Sequence, residues 1–166
     1  MNIDDTSFVL AVDVDGVQAD YEKGLAAIVA EDRGISIDEI PPSLDWHFTS
    51  WDLKRGDFMR YHTKLIEDHG FLELNPIAGV AKAMKSFSDE GIYVRVVTHR
   101  LVIPDHHALI VTDTVNWLDK NDILYRDICF AANKATVGAD LYIDDAPHNY
   151  EALVNAGIPC ILFDQP

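Results

Sequence analysis

The sequence predicts an α/β fold: a doubly wound, Rossmann-like parallel sheet with a small helical cap inserted after the first strand. Three observations predict it. Short apolar runs of strand length recur at Phe8–Val14, Ile92–Thr98, Asp127–Ala131, Leu141–Asp144 and Ile158–Phe163. Segments of helical periodicity lie between them, and such alternation implies a parallel sheet with helices on both faces. One long stretch, from Gly16 to Pro76, breaks the alternation and holds no convincing strand. A connection of that length inside a compact domain is functional or a small subdomain.

The first strand runs from Phe8 into Asp13-Val14-Asp15-Gly16, where a turn residue stops it. In the long stretch, Tyr21–Glu31 reads as a helix ending near Gly34, Pro41-Pro42 as a break, and Asp57–Asp68 as a helix ending near Gly70. After Pro76, Ile77–Glu90 places Val80, Ala81, Met84 and Phe87 on one stripe, and Gly91 closes the helix. Ala108–Lys120 repeats the pattern with Leu109, Val111, Val115 and Leu118. Pro147–Ala156 begins with proline in its first turn and stops before Gly157. The expected organisation is a core of residues 1–17 and 76–166 with a cap of residues 18–75.

Composition narrows the function. A chain of 166 residues suits one domain with a modest insertion. Thirteen Lys and Arg stand against 28 Asp and Glu, a formal net charge of −15, which repels polyanions and disfavours a nucleic-acid polymer as partner. A small anionic substrate remains compatible if a bound divalent cation supplies local positive charge. No stretch has the length of a membrane span, and the polar N-terminus, residues 1–7, does not read as a secretory signal, so a cytoplasmic protein is expected. Cys129 and Cys160 lie in apolar runs and read as buried core thiols.

Four signals fall near strand ends, in this order: Asp13 with Asp15, Thr98, Lys134, and Asp144-Asp145. Carboxyl ends of parallel strands share one edge of the sheet, so these residues can converge there. Carboxylates from two strands can hold a hard cation such as Mg²⁺. One carboxylate can attack phosphorus, and a second carboxylic acid can protonate the leaving oxygen. A threonine, backbone N–H groups and a lysine can hold phosphoryl oxygens.

This order of motifs resembles the haloacid-dehalogenase (HAD) superfamily of phosphohydrolases over nearly the whole chain. The DxDG pattern at Asp13–Gly16 is its most specific element. The resemblance implies Asp13 as nucleophile and Asp15 as general acid/base; dehalogenases lack the second carboxylate, so Asp15 favours phosphoryl chemistry. It implies Mg²⁺ held by Asp13, the carbonyl of Asp15, and Asp144 or Asp145, with Thr98, the N–H of His99 and Lys134 on the phosphate. It also implies a cap directly after the first motif. More narrowly, FLELNPIAGV (Phe71–Val80), NKATVGADLYIDDAP (Asn133–Pro147) and the tail NYEALVNAGIPCILFDQ are similar to the 5′(3′)-deoxyribonucleotidases and their bacterial and phage relatives, which run a little further at the C-terminus. His99-Arg100 departs from the Ser-Pro that follows the threonine in the animal enzymes.

The expected activity is therefore a Mg²⁺-dependent phosphomonoesterase acting on nucleoside monophosphates, with no membrane partner and with a homodimer allowed. For the leaving group, Trp46, Phe48, Trp51 and Phe58 could stack on a base, although most of these aromatics are accounted for more simply as the cap's own core, with one or two left for a ligand-facing surface. Arg60, in a basic cluster with Lys54, Arg55 and Lys64, could meet a second charge, although a solvated helix face accounts for that cluster more simply. The crowd at His99, Arg100, Asp105, His106 and His107 reads as ordinary loop residues rather than a second metal site. Alternatives are a polynucleotide 3′-phosphatase, a sugar-phosphate phosphatase, a phospho-receiver domain and an inactive HAD binding module. The net charge opposes the first of these. A receiver would carry its phosphorylated aspartate at the end of the third strand, whereas here the carboxylates stand at the first and fourth signals and a cap intervenes.

Overall fold

The computed structural model describes residues 8–164; the polar N-terminal segment 1–7 and residues 165–166, both assigned to the core from sequence, lie outside the described residues. Five parallel strands, β1 (Val9–Val12), β2 (Tyr93–Thr98), β3 (Asp127–Phe130), β4 (Leu141–Asp144) and β5 (Cys160–Leu162), form one sheet in the order β3-β2-β1-β4-β5. Each strand sits inside the apolar run that predicts it. The chain adds β2 and β3 on one side of β1, then crosses back and adds β4 and β5 on the other. The order thus reverses between β1 and β4, the place where open α/β sheets form their ligand crevice.

Successive residues of β1 feed different cores. Leu10 and Val12 join a cluster with Val80, Met84, Ile110 and Trp117, from α4 (Val80–Asp89) and α5 (His107–Lys120). Ala11 joins Val97, Tyr142 and Leu153, the last from α6 (Pro147–Asn155). The period-2 alternation of a strand makes this division, and burial of both faces explains why β1 reads as continuously apolar.

Two sequence expectations need correction. On α5 the fully buried face is Ile110, Asp113, Thr114, Trp117 and Leu118, whereas Leu109, Val111 and Val115 are only partly covered. Asp113 is paired with His69 Nδ1 at 3.1 Å, and Thr114 donates to the Ile110 carbonyl at 2.7 Å, so two polar residues can occupy the core face. Cys129 and Cys160 are free but only half-buried, because β3 and β5 are the edge strands of the sheet.

The long insertion leaves and re-enters the core at one point. Ala19 bridges Pro76, Asp20 N–H donates to the Asn75 carbonyl at 2.9 Å, and Ile77 N–H donates to that of Gln18 at 2.8 Å. Between these crossings lie α1 (Tyr21–Arg33), α2 (Asp57–Glu67) and the short α3 (Gly70–Glu73). Asp20 caps α1 by accepting from Lys23 N–H, and Gly34, at φ 64°, ends it in the left-handed conformation that glycine adopts without strain. Leu25, Val29, Ile40, Trp51 and Tyr61 form a separate small core. Leu65, Ile66, Phe71 and Leu74 instead join the main cluster, which anchors the exit side of the insertion to α5. Trp117 of α5 closes that contact by donating Nε1–H to the Leu74 carbonyl at 2.8 Å. Trp117→Ala is expected to cost about 3–5 kcal/mol, the range for deleting a buried aromatic, and leaves that carbonyl unpartnered. A shift of the urea midpoint corresponding to less than about 1 kcal/mol would show that the insertion is not tied down here.

Candidate active site

The register Val12↔Ile143 places Asp13 beside Asp144 at the carboxyl ends of β1 and β4. Asp13 N–H continues the ladder to the Ile143 carbonyl at 3.0 Å. Its side chain is buried, and Lys134 Nζ sits 2.9 Å from Asp13 Oδ1 and 2.6 Å from Asp144 Oδ2. Lys134 belongs to a 3-10 turn, Lys134–Thr136, capped by Asn133 and held by the Tyr142 hydroxyl on the Lys134 carbonyl at 2.9 Å. Burial opposes the lysine's charge, but Asp13 and Asp144 outweigh it and raise its pKa. Lys134 is therefore charged at neutral pH.

The carboxylates outnumber that one cation. Burial pushes the Asp13 pKa up, Lys134 pulls it down, and Asp144 and Asp15 push it up again, for a net rise. Burial also pushes the Asp145 carboxyl up to about 8, with Asp13, Asp144 and Asp15 adding to the effect. Ligand oxygens of Asp13, Asp144 and Asp145 lie within 4.8 Å of one another. Both Asp144 oxygens are already engaged, by Lys134, Asn149 Nδ2 and Ala146 N–H, whereas Asp145 Oδ1 is buried without a partner. An oxygen-lined, electron-rich cluster with an orphaned carboxylate oxygen fits a hard divalent cation. Gly16 keeps the space open: its φ is +76°, and a Cβ there would fall 1.8 Å from Asp145 Oδ2.

Asp15 stands apart from this cluster. A tight turn carries it out: Gln18 and Ala19 N–H both donate to the Val14 carbonyl at 2.8 Å. Gln18 is fully buried and donates Nε2–H to the Asp13 carbonyl at 2.9 Å, bracing the strand end. Asp15, Gly16 and Asp145 face a cavity of about 420 Å³ that reaches into the inserted segment. Tyr21, Trp46, Phe48 and Phe58 line it, together with Asp20, Glu22, Asp45 and Asp164. Thr98 is buried at the end of β2, and His99 after it is exposed.

The five candidate cap residues divide on a physical basis. Phe48 and Phe58 are stacked at 5.9 Å on the cavity wall, and Trp46 is half-exposed, edge-on to His148 at 5.5 Å. Trp51, one of the candidates for base stacking, is core: it is 1% exposed and donates Nε1–H to the Pro41 carbonyl at 2.7 Å. Arg60, a candidate for meeting a second substrate charge, does not line the cavity, in keeping with the solvated-helix-face reading. Its guanidinium forks onto Asp32 at 2.8 and 3.1 Å on the exposed outer side of α2. Residues that the sequence left unremarked include Gln18, Asn149 and Tyr21, whose hydroxyl is 2.8 Å from His62 Nδ1. Arg100, read as one of a crowd of loop residues, is buried with both Asp15 oxygens on its guanidinium. Its placement two residues past the β2 end was the available signal.

Over residues 7–166 the chain matches the model of a family described as 5′ nucleotidase, deoxy (pyrimidine), cytosolic type C protein. It is 38% identical over 159 residues to a Chlorobaculum tepidum protein provisionally named a 5′(3′)-deoxyribonucleotidase, a match covering 95% of this chain and 79% of that protein. Among solved structures, a hydrolase from Streptococcus pneumoniae superposes with a TM-score of 0.59 at 19% identity, over 96% of this chain and 94% of that one. A HAD family hydrolase from Deinococcus radiodurans, solved with bound phosphate and sodium, gives 0.56 at 14% identity, over 93% and 79%. At these identities the likeness is one of fold, an α/β HAD core. No helix among the described residues is long and apolar enough to cross a membrane.

Proposed function

Because the chain belongs to this family of type C 5′ nucleotidases and is thus a phosphoric monoester hydrolase, we propose that it is a Mg²⁺-dependent 5′(3′)-deoxyribonucleotidase working through an aspartyl-phosphate at Asp13. One observation carries the reading: Asp13, Lys134 and the Asp144-Asp145 pair meet at the β1/β4 switch, and an aromatic-lined cavity opens beside Asp15.

Asp13 attacks phosphorus in line; the Oδ–P bond forms as the bond to the sugar oxygen breaks. Asp15 gives its proton to that oxygen. Asp15 then takes a proton from the water that attacks the acyl-phosphate, and inorganic phosphate leaves with Asp13 restored. Lys134, Thr98 and the N–H of His99 hold the transferring oxygens. Asp13 and Asp145, with the Asp15 carbonyl, would hold Mg²⁺, which when bound supplies positive charge against the phosphoryl group. The unpartnered Oδ1 of Asp145 favours it over Asp144 as the direct ligand. Segment 18–75 acts as the cap, and the family's description supports a cytoplasmic location.

Trp46, Phe48 and Phe58 offer faces for a nucleobase. The ionisable lining of the cavity is acidic, without Lys or Arg among its described residues, so a second anionic group on the leaving portion is disfavoured. This opposes the end-repair 3′-phosphatase reading. A phosphate-release screen with Mg²⁺ should give deoxynucleoside monophosphates a kcat/KM at least roughly 100-fold above that for 3′-phosphorylated oligonucleotides, a gap of about 2.7 kcal/mol. Preference for the oligonucleotide would replace this reading with end repair. Preference for a sugar phosphate would keep the chemistry and overturn the substrate.

A further inference from the structure

Arg100 and Lys134 are the buried cations among the described lysines and arginines. Lys134 has a place in the phosphoryl chemistry above; Arg100 has none so far. Its Nε–H donates to Asp15 Oδ2 at 2.9 Å and one Nη to Asp15 Oδ1 at 2.6 Å. The other Nη donates to Thr114 Oγ1 at 3.0 Å. Thr114 spends its own hydroxyl proton on the Ile110 carbonyl, so its lone pairs turn to the guanidinium. The guanidinium carbon also lies 4.1 Å from the Phe71 ring centroid, against α3 at the exit of the cap. The Arg100 side chain is 1% exposed, while Asp15 remains a quarter exposed towards the cavity.

We propose that Arg100 is the positioning residue for Asp15, fixing the acid/base carboxyl at the junction of the phosphoryl site and the leaving-group cavity. The inference rests on the acid/base role given to Asp15 above. A proton donor must lie within hydrogen-bond reach of the leaving oxygen, and a misplacement near 1 Å costs roughly 100-fold. Asp15 sits in a turn, and Arg100 is the partner of both its oxygens. A fork on both oxygens fixes the carboxyl plane as well as its position, which a lysine's single point charge does not reproduce. It takes one lone-pair site per oxygen, so the other site of either oxygen carries the proton that Asp15 transfers. Thr114 and Phe71 fix the fork in turn, from two elements that pack on each other, α5 and α3.

The test compares two leaving groups. A deoxyribose oxygen needs a proton to depart; nitrophenolate does not. First-turnover rates are measured with a deoxynucleoside monophosphate and with p-nitrophenyl phosphate for wild type, Arg100→Lys, Arg100→Ala with and without added guanidinium, and Thr114→Val. Both Arg100 variants should lose roughly 30-fold or more in the nucleotide rate, with KM changed by less than about threefold. The nucleotide loss should exceed the nitrophenyl phosphate loss at least about tenfold, and guanidinium should recover part of the Arg100→Ala deficit. Thr114→Val should show the same bias, more weakly. If Arg100→Ala does not fold, Arg100→Lys and Thr114→Val decide. Equal losses on both substrates, or full nucleotide activity in Arg100→Lys, overturn the proposal. If Asp13→Asn is inactive while the Arg100 variants show no bias, positioning alone has failed. If Asp13→Asn is active, the underlying mechanism has failed.

Discussion

Asp13→Asn is expected to lower phosphomonoesterase turnover about 10⁴-fold or more while the protein stays folded. The amide has the shape of the carboxyl and keeps an acceptor oxygen for Lys134, which retains Asp144 as its charged partner at 2.6 Å. What is lost is the proposed nucleophile: an amide oxygen does not form the acyl-phosphate. The substitution also removes one of several buried carboxylates that raise each other's pKa. The variant should therefore melt no lower than wild type in the absence of metal at neutral pH. Phosphate release and thermal melts measured on the same preparation separate chemistry from folding. Near-normal turnover by a folded Asp13→Asn variant would sink the aspartyl-phosphate mechanism.

The second large effect is a pH-dependent response to metal. Burial puts the Asp145 pKa near 8 in the folded protein against 3.8 for an ordinary aspartate. A group whose folded pKa is raised binds more protons folded than unfolded between those values, so stability falls as pH rises through that window. Without metal, the protein should melt lower at pH 8 than at pH 5, by about 5 °C if the net difference is about 2 kcal/mol. The proposed Mg²⁺ would bind the ionised carboxylates of the folded state, so its stabilisation should be larger at pH 8 than at pH 5. Asp145→Asn should flatten the pH slope, remove most of the Mg²⁺-induced shift and reduce turnover about 100-fold. A Mg²⁺ shift in that variant as large as in wild type would mean that the ion does not use Asp145.

Much of the fold was legible because its strands are short apolar runs, unbroken where, as in β1, both faces are buried. The same runs end at the residues that matter. The inserted segment was legible as a failure of alternation. Its interior was not, since aromatics at helical or loop spacing carry no label for core or ligand. Trp51 and Phe48 are three residues apart, yet one is sealed against Pro41 and the other is on the cavity wall. Arg60 shows the same limit: its partner Asp32 is 28 residues away on α1, and sequence spacing does not show that pairing. On α5 the apolar count favoured the wrong stripe because Asp113 and Thr114 are buried with partners from elsewhere in the chain.

The sequence alone determined the α/β sheet class with an inserted segment after β1, the order of the strand-end residues and the chemical types available to the site. Those follow from local periodicity and from residue identity, which need no distant partner. Only the tertiary structure decided how the charges divide. Lys134 lies between Asp13 and Asp144, Asp145 keeps an unpartnered oxygen, and Arg100 holds Asp15 apart. Each depends on which residues meet across the β1/β4 crevice or between the segments that follow β1 and β2. Pairing of buried charges over such separations depends on which ones the packed core brings within a few ångströms.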